Sequence, residues 1–173
     1  MIKLEILTES LISEDYVNAM SDNSLIRYTE ARWREWNRSS VLEFVKDNLK
    51  SDRCILFGIF LNDRHVGNVR LHSRDTRNFT CEIGILVFAR DVWGQGVGAS
   101  AILSAISYAH SNWNISRVMA DYYEENSASS KLFEKVGFIQ EGIFRNHFRN
   151  LDGSFSNSIR VAKNLDCRGV ENE

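Results

Sequence analysis

The passage from Glu82 to Gly98, EIGILVFARDVWGQGVG, limits the fold of this chain more than any other. An apolar, β-branched run gives way to glycines at 94, 96 and 98. Ile102, Leu103, Ile106 and Ala109 then recur at helical spacing. Strand, glycine-rich turn and helix in that order aim backbone N–H groups and a helix N-terminus at an anion. Glycine suits such a turn because a side chain would block close approach and because the turn needs positive φ. The anion this passage is built for is a pyrophosphate.

The elements around the passage narrow the topology. Ile2 to Leu7 alternates as a strand, and Ser13-Glu14-Asp15 opens a short helix to about Met20. Ser40 to Glu43 reads as a capping box opening a helix to about Leu49. Cys54 to Leu61, His65 to Ser73 and Phe79 to Phe88 are three strands joined by the short polar turns Asn62-Asp63 and Asp75 to Asn78. Beyond the glycine-loop helix come a strand over Ser116 to Tyr123, a helix from Asn126 to Gly137, and two strands around Asp152-Gly153. The pattern predicts an α+β fold: a mixed, mostly antiparallel central sheet of about seven strands flanked by about four helices. The single parallel step falls where the glycine-loop helix crosses over.

Length and charge exclude several classes. The 173 residues predict one domain over 1–165, followed by a polar, disordered tail over 166–173. With 43% hydrophobic residues, 25% charged residues and a net charge of −2, the chain reads as an ordinary globular protein. No basic excess marks a nucleic-acid binder, and no apolar run is long enough for a membrane span. The N-terminus lacks the form of a signal peptide. Three unpatterned cysteines (Cys54, Cys81 and Cys167) suit reduced thiols in a cytoplasm. The four histidines have no metal-ligand spacing, so no metal site is expected.

Three kinds of phosphate ligand compete for the loop. A Walker loop requires Lys-Ser/Thr after its last glycine, and none follows Gly98. Gly94, Gly96 and Ala99 satisfy the dinucleotide pattern G-x-G-x-x-[GA], with Asp121 about 20 residues further on. That fold needs alternating βαβ units, and an antiparallel meander precedes this loop; a methyltransferase reading meets the same objection. The third ligand is coenzyme A. Trp93-Gly94-Gln95-Gly96-Val97-Gly98 resembles the [QR]-x-x-G-x-[GA] loop of the GNAT superfamily of N-acetyltransferases, with Trp in place of the first Gln/Arg. This is the form seen in the branch resembling ribosomal-protein N-terminal and spermidine acetyltransferases. Asn126 opening a helix that ends at Gly137-Phe138 is similar to a second marker of the superfamily.

The resemblance implies acetyl-CoA as co-substrate and a primary amine as direct attacker. It places the cofactor on Trp93, Gly94, Gln95, Gly96, Val97, Gly98 and Ala99, with the pyrophosphate on the backbone N–H groups of Gln95 to Ala99, and the pantetheine arm between two splayed strands, Glu82 to Phe88 and Arg117 to Tyr123. It places a thioester-oxygen donor among the backbone N–H groups of Ile85, Leu86 and Val87, and it adds Asn126, Ser129 and Phe133 to the cofactor site. An alkylammonium with a pKa of about 10 must lose a proton before it can attack, and a carboxylate is the usual base. Asp121 is the first candidate and Glu82 the second; the alternative is that Glu82 pairs with an arginine across the sheet and Asp121 faces solvent. Many relatives carry a Tyr acid where this chain has Phe133, so the acid is unassigned. The thiol, with a pKa of about 8.5, leaves tolerably unaided.

Glu30, Arg32, Trp33 and Arg34, with Arg27, Trp36 and Arg38, fall in the segment that covers the acceptor in relatives, and Arg145, His147 and Arg149 alternate along one later strand. Arginine forks and tryptophan faces suit an anionic or sugar-bearing acceptor, so a small amine such as an amino sugar or amino-sugar nucleotide is expected. The opposing reading makes the tryptophans core and the arginines a solvated face. The alternative functions are a protein N-terminal acetyltransferase and a non-catalytic CoA-binding domain, while two copies pairing through the last strands would cover an exposed edge.

Overall fold

The computed structural model describes residues 1–165, so the expected polar tail over 166–173 lies outside the described residues. Seven strands form one sheet in the order β1-β2-β3-β4-β5-β7-β6. They are β1 (Ile2–Ile6), β2 (Ile55–Leu61), β3 (Arg64–Asp75), β4 (Thr80–Val87), β5 (Arg117–Tyr123), β6 (Ile139–Arg149) and β7 (Phe155–Asn164). Every neighbouring pair is antiparallel except β4 with β5. The α-helices are α1 (Glu14–Ser21), the single turn α2 (Asn23–Ile26), α3 (Arg38–Lys50), α4 (Val97–Trp113) and α5 (Ser127–Lys135). The meander β2-β3-β4 and the parallel crossover through α4 stand where the hydrophobic pattern places them.

The core follows from the sheet's two covered faces. Strand β2, ILFGIFL, is buried on both sides, as a near-continuous apolar run requires. Helix α4 lays Ala101, Ile102, Ala105 and Ala109 against one face, and α1 and α3 cover the other with Tyr16, Val41 and Val45. Small residues along α4 let it lie close to the sheet. On β3, a Cβ at Gly67 would stand 2.6 Å from the Leu86 carbonyl oxygen, so only glycine permits the observed approach of β3 to β4.

Two local readings change in three dimensions. The capping box of α3 sits one turn earlier than Ser40 to Glu43. Asn37 is the N-cap, its side chain accepting from the Ser40 N–H while the Ser40 hydroxyl accepts from the Asn37 N–H. Either residue can cap, and placing Ser40 at the third helical position frees Glu43 to pair with Arg34. The expected alternation of Arg145, His147 and Arg149 is also broken. The β6–β7 register shifts between Phe144 and Phe148, and Asn146 takes a left-handed φ of 51°.

Candidate active site

The site begins where two strands part. β4 and β5 are paired over only three positions, Thr80–Arg117, Cys81–Val118 and Glu82–Met119. Beyond Glu82, β4 stays paired with β3, and β5 stays paired with β7 to its end. The Phe88 N–H bonds back to Val66, and backbone groups alternate along a strand. The N–H and C=O groups of Ile83, Ile85 and Val87 therefore point into the opening, as do those of Asp121 on the far side, since Leu165 bonds the Ser116 carbonyl. The Leu86 backbone faces β3 instead. The Trp93 indole Nε1 donates to the Val87 carbonyl at 2.9 Å and ties the following loop to the end of β4.

The loop forms a cradle beside this opening. Gly94 and Gly96 hold φ of 76° and 82°, and a Cβ at either would meet nothing within 4 Å. The space above them is open, and the residue type is dictated by backbone conformation. Gly96 is the N-cap of α4 and offers no side-chain acceptor, so the N–H groups of Val97, Gly98 and Ala99 are left free by the helix. The Gln95 side chain turns back to the Asp91 carbonyl. Gly98 packs against Leu132 and Ile85, joining α4 to α5 and β4. On the opposite wall Asn126 caps α5 through the Ser129 N–H at 3.1 Å. Donors, open space and an unpaired strand edge together fit a long ligand that carries a pyrophosphate along its length, as acetyl-CoA does.

On the sheet face away from α4, four charged or titratable side chains form one row across four strands. His72 on β3 lies opposite Glu82 on β4, and Asp121 on β5 lies opposite Arg160 on β7. Arg160 Nη2 stands 2.6 Å from Asp121 Oδ2, and its Nη1 stands 3.3 Å from Glu82 Oε1. His72 Nδ1 faces Glu82 Oε2 at 3.6 Å. Burial pushes the Asp121 carboxyl above its ordinary value; Arg160 pulls it back, Glu82 pushes it further up, and His147 adds a small pull downward. Burial, with Arg70 behind it, lowers the pKa of His72 and favours its neutral ring. Sequence alone did not single out Arg160 or His72, since only the strand register brings them to the two carboxylates.

The remaining candidates divide. Phe133 is buried and stacks on Tyr122 at 6.0 Å, so the α5 wall carries an apolar ring there. Tyr122 and Tyr123 take opposite faces of β5. Tyr123 packs between Tyr28, Phe148 and the Arg32 guanidinium. Arg32 is itself buried, donating to the carbonyls of Arg27, Thr29 and Arg149 at 3.2, 3.1 and 2.9 Å. It straps the segment before α3 to the end of β6. Glu30 is exposed beside it, Trp33 is half-exposed, and Arg34 is paired with Glu43. Burial pushes the Cys81 thiol up to about 12, leaving it a poor nucleophile.

A sheet that splays around a glycine loop at a helix N-terminus, with carboxylates beside the opening, defines a class of proteins that bind an acyl carrier. The acetyltransferase (GNAT) domain model matches residues 6–139, and the chain belongs to that family. It is 31% identical over 109 residues to the uncharacterised N-acetyltransferase p20 of Bacillus licheniformis, a match covering 62% of this chain and 61% of p20. The first curated relatives are thus matched over about half to three fifths of their own length. Among solved structures, the chain is similar to RimL, a ribosomal L7/L12 alpha-N-protein acetyltransferase in complex with coenzyme A. The TM-score is 0.86 and the identity 16%, over 96% of this chain and 95% of that one. It is also similar to a spermidine N-acetyltransferase from Vibrio cholerae in complex with CoA and spermine, with a TM-score of 0.83 and 18% identity over 96% of both chains. No helix among the described residues is long and apolar enough to cross a membrane.

Proposed function

We propose that this chain is an acetyl-CoA-dependent N-acetyltransferase in which a primary amine attacks directly. The observation that carries the reading is the unpaired opening between β4 and β5, with the glycine cradle beside it and Asp121 on its rim. When bound, acetyl-CoA supplies an acyl group already activated as a thioester. The N–H groups of Val97, Gly98 and Ala99, which the helix leaves free, would hold its pyrophosphate, with Asn126, Ser129 and Phe133 lining the α5 side; the Gln95 N–H is already bonded to the Val92 carbonyl. The inward-facing N–H of Ile85 or Val87 is placed to receive negative charge developing on an oxygen in the opening. Asp121 takes the proton from the alkylammonium. Burial raises its pKa and makes it a stronger base than an exposed carboxylate, while the neighbouring Arg160 favours its ionised form. Asp121 Oδ1 has no bonding partner among the described residues, whereas both oxygens of Glu82 face a nitrogen. That asymmetry favours Asp121 over Glu82 as the base.

For the acceptor, the charge of the row favours a small monoamine, such as an amino sugar or its nucleotide. Arg160 offsets one of the two carboxylates, so the site lacks the excess negative charge a polyamine would prefer. The second reading, an α-amino group of a protein, is supported by the likeness to RimL over nearly the whole chain. An α-amino group, with a pKa near 8, also asks less of the base.

Thiol release from acetyl-CoA, measured across amino sugars, amino-sugar nucleotides, polyamines and peptides with calorimetric CoA binding alongside, tests the proposal. Release with one class is expected. CoA binding without release from any amine would point to a non-catalytic domain, and absence of CoA binding would overturn the assignment of the loop.

A further inference from the structure

We propose that Arg160 is a positioning residue that holds Asp121 and Glu82 apart on two edges of one guanidinium and turns Asp121 Oδ1 towards the acceptor amine. The inference rests on the reading of Asp121 as the base. Arg160 is the register partner of Asp121, ion-paired through Nη2 at 2.6 Å, and it reaches across β5 to donate from Nη1 to Glu82 at 3.3 Å. Arg160 Nη1 also lies 3.7 Å from the sulfur of Met119, the residue paired with Glu82 on β5, so the guanidinium spans the strand that separates the two acids. Its third nitrogen, Nε, is buried and has no partner among the described residues, so the side chain is held by the two carboxylates.

Without the arginine, two carboxylates would share one partly buried patch, and like charges there force one to take up a proton. A protonated base cannot accept another. With Arg160 present, each acid has its own edge of the guanidinium. Glu82 is further faced by His72, and Asp121 keeps one oxygen free. The groups facing Asp121 are Arg160 from β7, Glu82 from β4, His72 beyond it from β3, and His147 from β6. Among these, only Arg160 is a permanent cation. The division of labour follows: Asp121 receives the proton, while Glu82 anchors Arg160 and touches no substrate atom.

Two measurements on Arg160→Met and Arg160→Lys test this. Carboxyl-carbon NMR, with the Asp121 signal assigned through Asp121→Asn, follows the titration directly and needs no turnover. In Arg160→Met the Asp121 midpoint is expected to rise by about one pH unit or more, the size of effect an adjacent guanidinium exerts. Arg160→Lys should recover most of that rise, because the charge returns. In steady-state thiol release, the acid limb of kcat/KM should move with the midpoint and the KM for acetyl-CoA should stay constant. The kcat of Arg160→Lys should recover only in part, since one ammonium cannot hold both acids as a fork does. An unmoved midpoint in a folded Arg160→Met, judged by unchanged CoA binding, would overturn the proposal. So would full kcat with the lysine. If the midpoint moves while no amine is acetylated by the wild type, the reading of Asp121 as base fails and the electrostatic role of Arg160 stands.

Discussion

Asp121 and Arg32 show how different two residues with a functional look can be. Asp121 stands at the rim of an unpaired strand edge with one oxygen free. Asp121→Asn should lower kcat by about 100-fold or more, the usual weight of a general base. The loss should shrink as pH approaches the acceptor's own pKa, because the free amine then needs no base; stopped assays of thiol release from pH 6 to about 10 would read this. A small, pH-independent loss would move the role to Glu82. Arg32 had the chemistry of an anion clamp in the sequence, yet its guanidinium is spent on three carbonyls and the Tyr123 ring. Arg32→Ala is expected to cost about 2–3 kcal/mol in urea unfolding, the range for charge-assisted bonds to buried groups. Arg34, exposed and paired with Glu43, should change stability by less than about 1 kcal/mol, so any rise it causes in acceptor KM reports binding.

At the scale of elements, the glycines divide by what constrains them. Gly96 has open space and a left-handed φ, while Gly67 has an extended backbone and no space. Gly96→Asp puts a side chain and a negative charge in the cradle and should weaken CoA binding by about 100-fold or more, close to 3 kcal/mol; titration calorimetry measures it. Gly67→Ala should destabilise by about 1–3 kcal/mol as an overpacked contact, because the Leu86 carbonyl it meets belongs to the strand that bounds the opening. A loss of CoA affinity in step with that destabilisation would show that β3 sets the width of the opening. The order of elements, the meander and the Asn126 cap of α5 were legible because each is written in local periodicity or turn chemistry. The position of the α3 cap was not, since Asn37 and Ser40 are both competent and only the docking of Glu43 on Arg34 distinguishes them.

For the molecule as a whole, stability carries a pH signature. His65 is buried in the core, bonded to Ser13 through Nδ1 and Asn68 through Nε2, and stacked on Phe60. Burial holds its pKa, and that of His72, below the ordinary 6.5. The unfolded chain therefore binds more protons than the folded one, and stability present above about pH 6.5 is lost as pH falls towards the folded values. The urea midpoint should drop between pH 7 and 5, and His65→Gln should flatten that slope even if it lowers stability overall. CoA at 100 times its Kd should add about 2.7 kcal/mol and raise Tm by about 5 °C or more, a shift that Gly96→Asp removes.

The elements, their order and the glycine cradle were already written in the sequence, because they rest on local spacing and on backbone conformations that few residues adopt; the family was reached there through motifs that resemble it. The sequence also brought forward Asp121 and Glu82. Which charges meet depends on how distant strands and segments pack. Strand register set Arg160 against both acids and His72 against one, and burial turned Arg32 from a candidate ligand contact into a strap. Such pairings join residues up to 117 positions apart, and no local pattern encodes them.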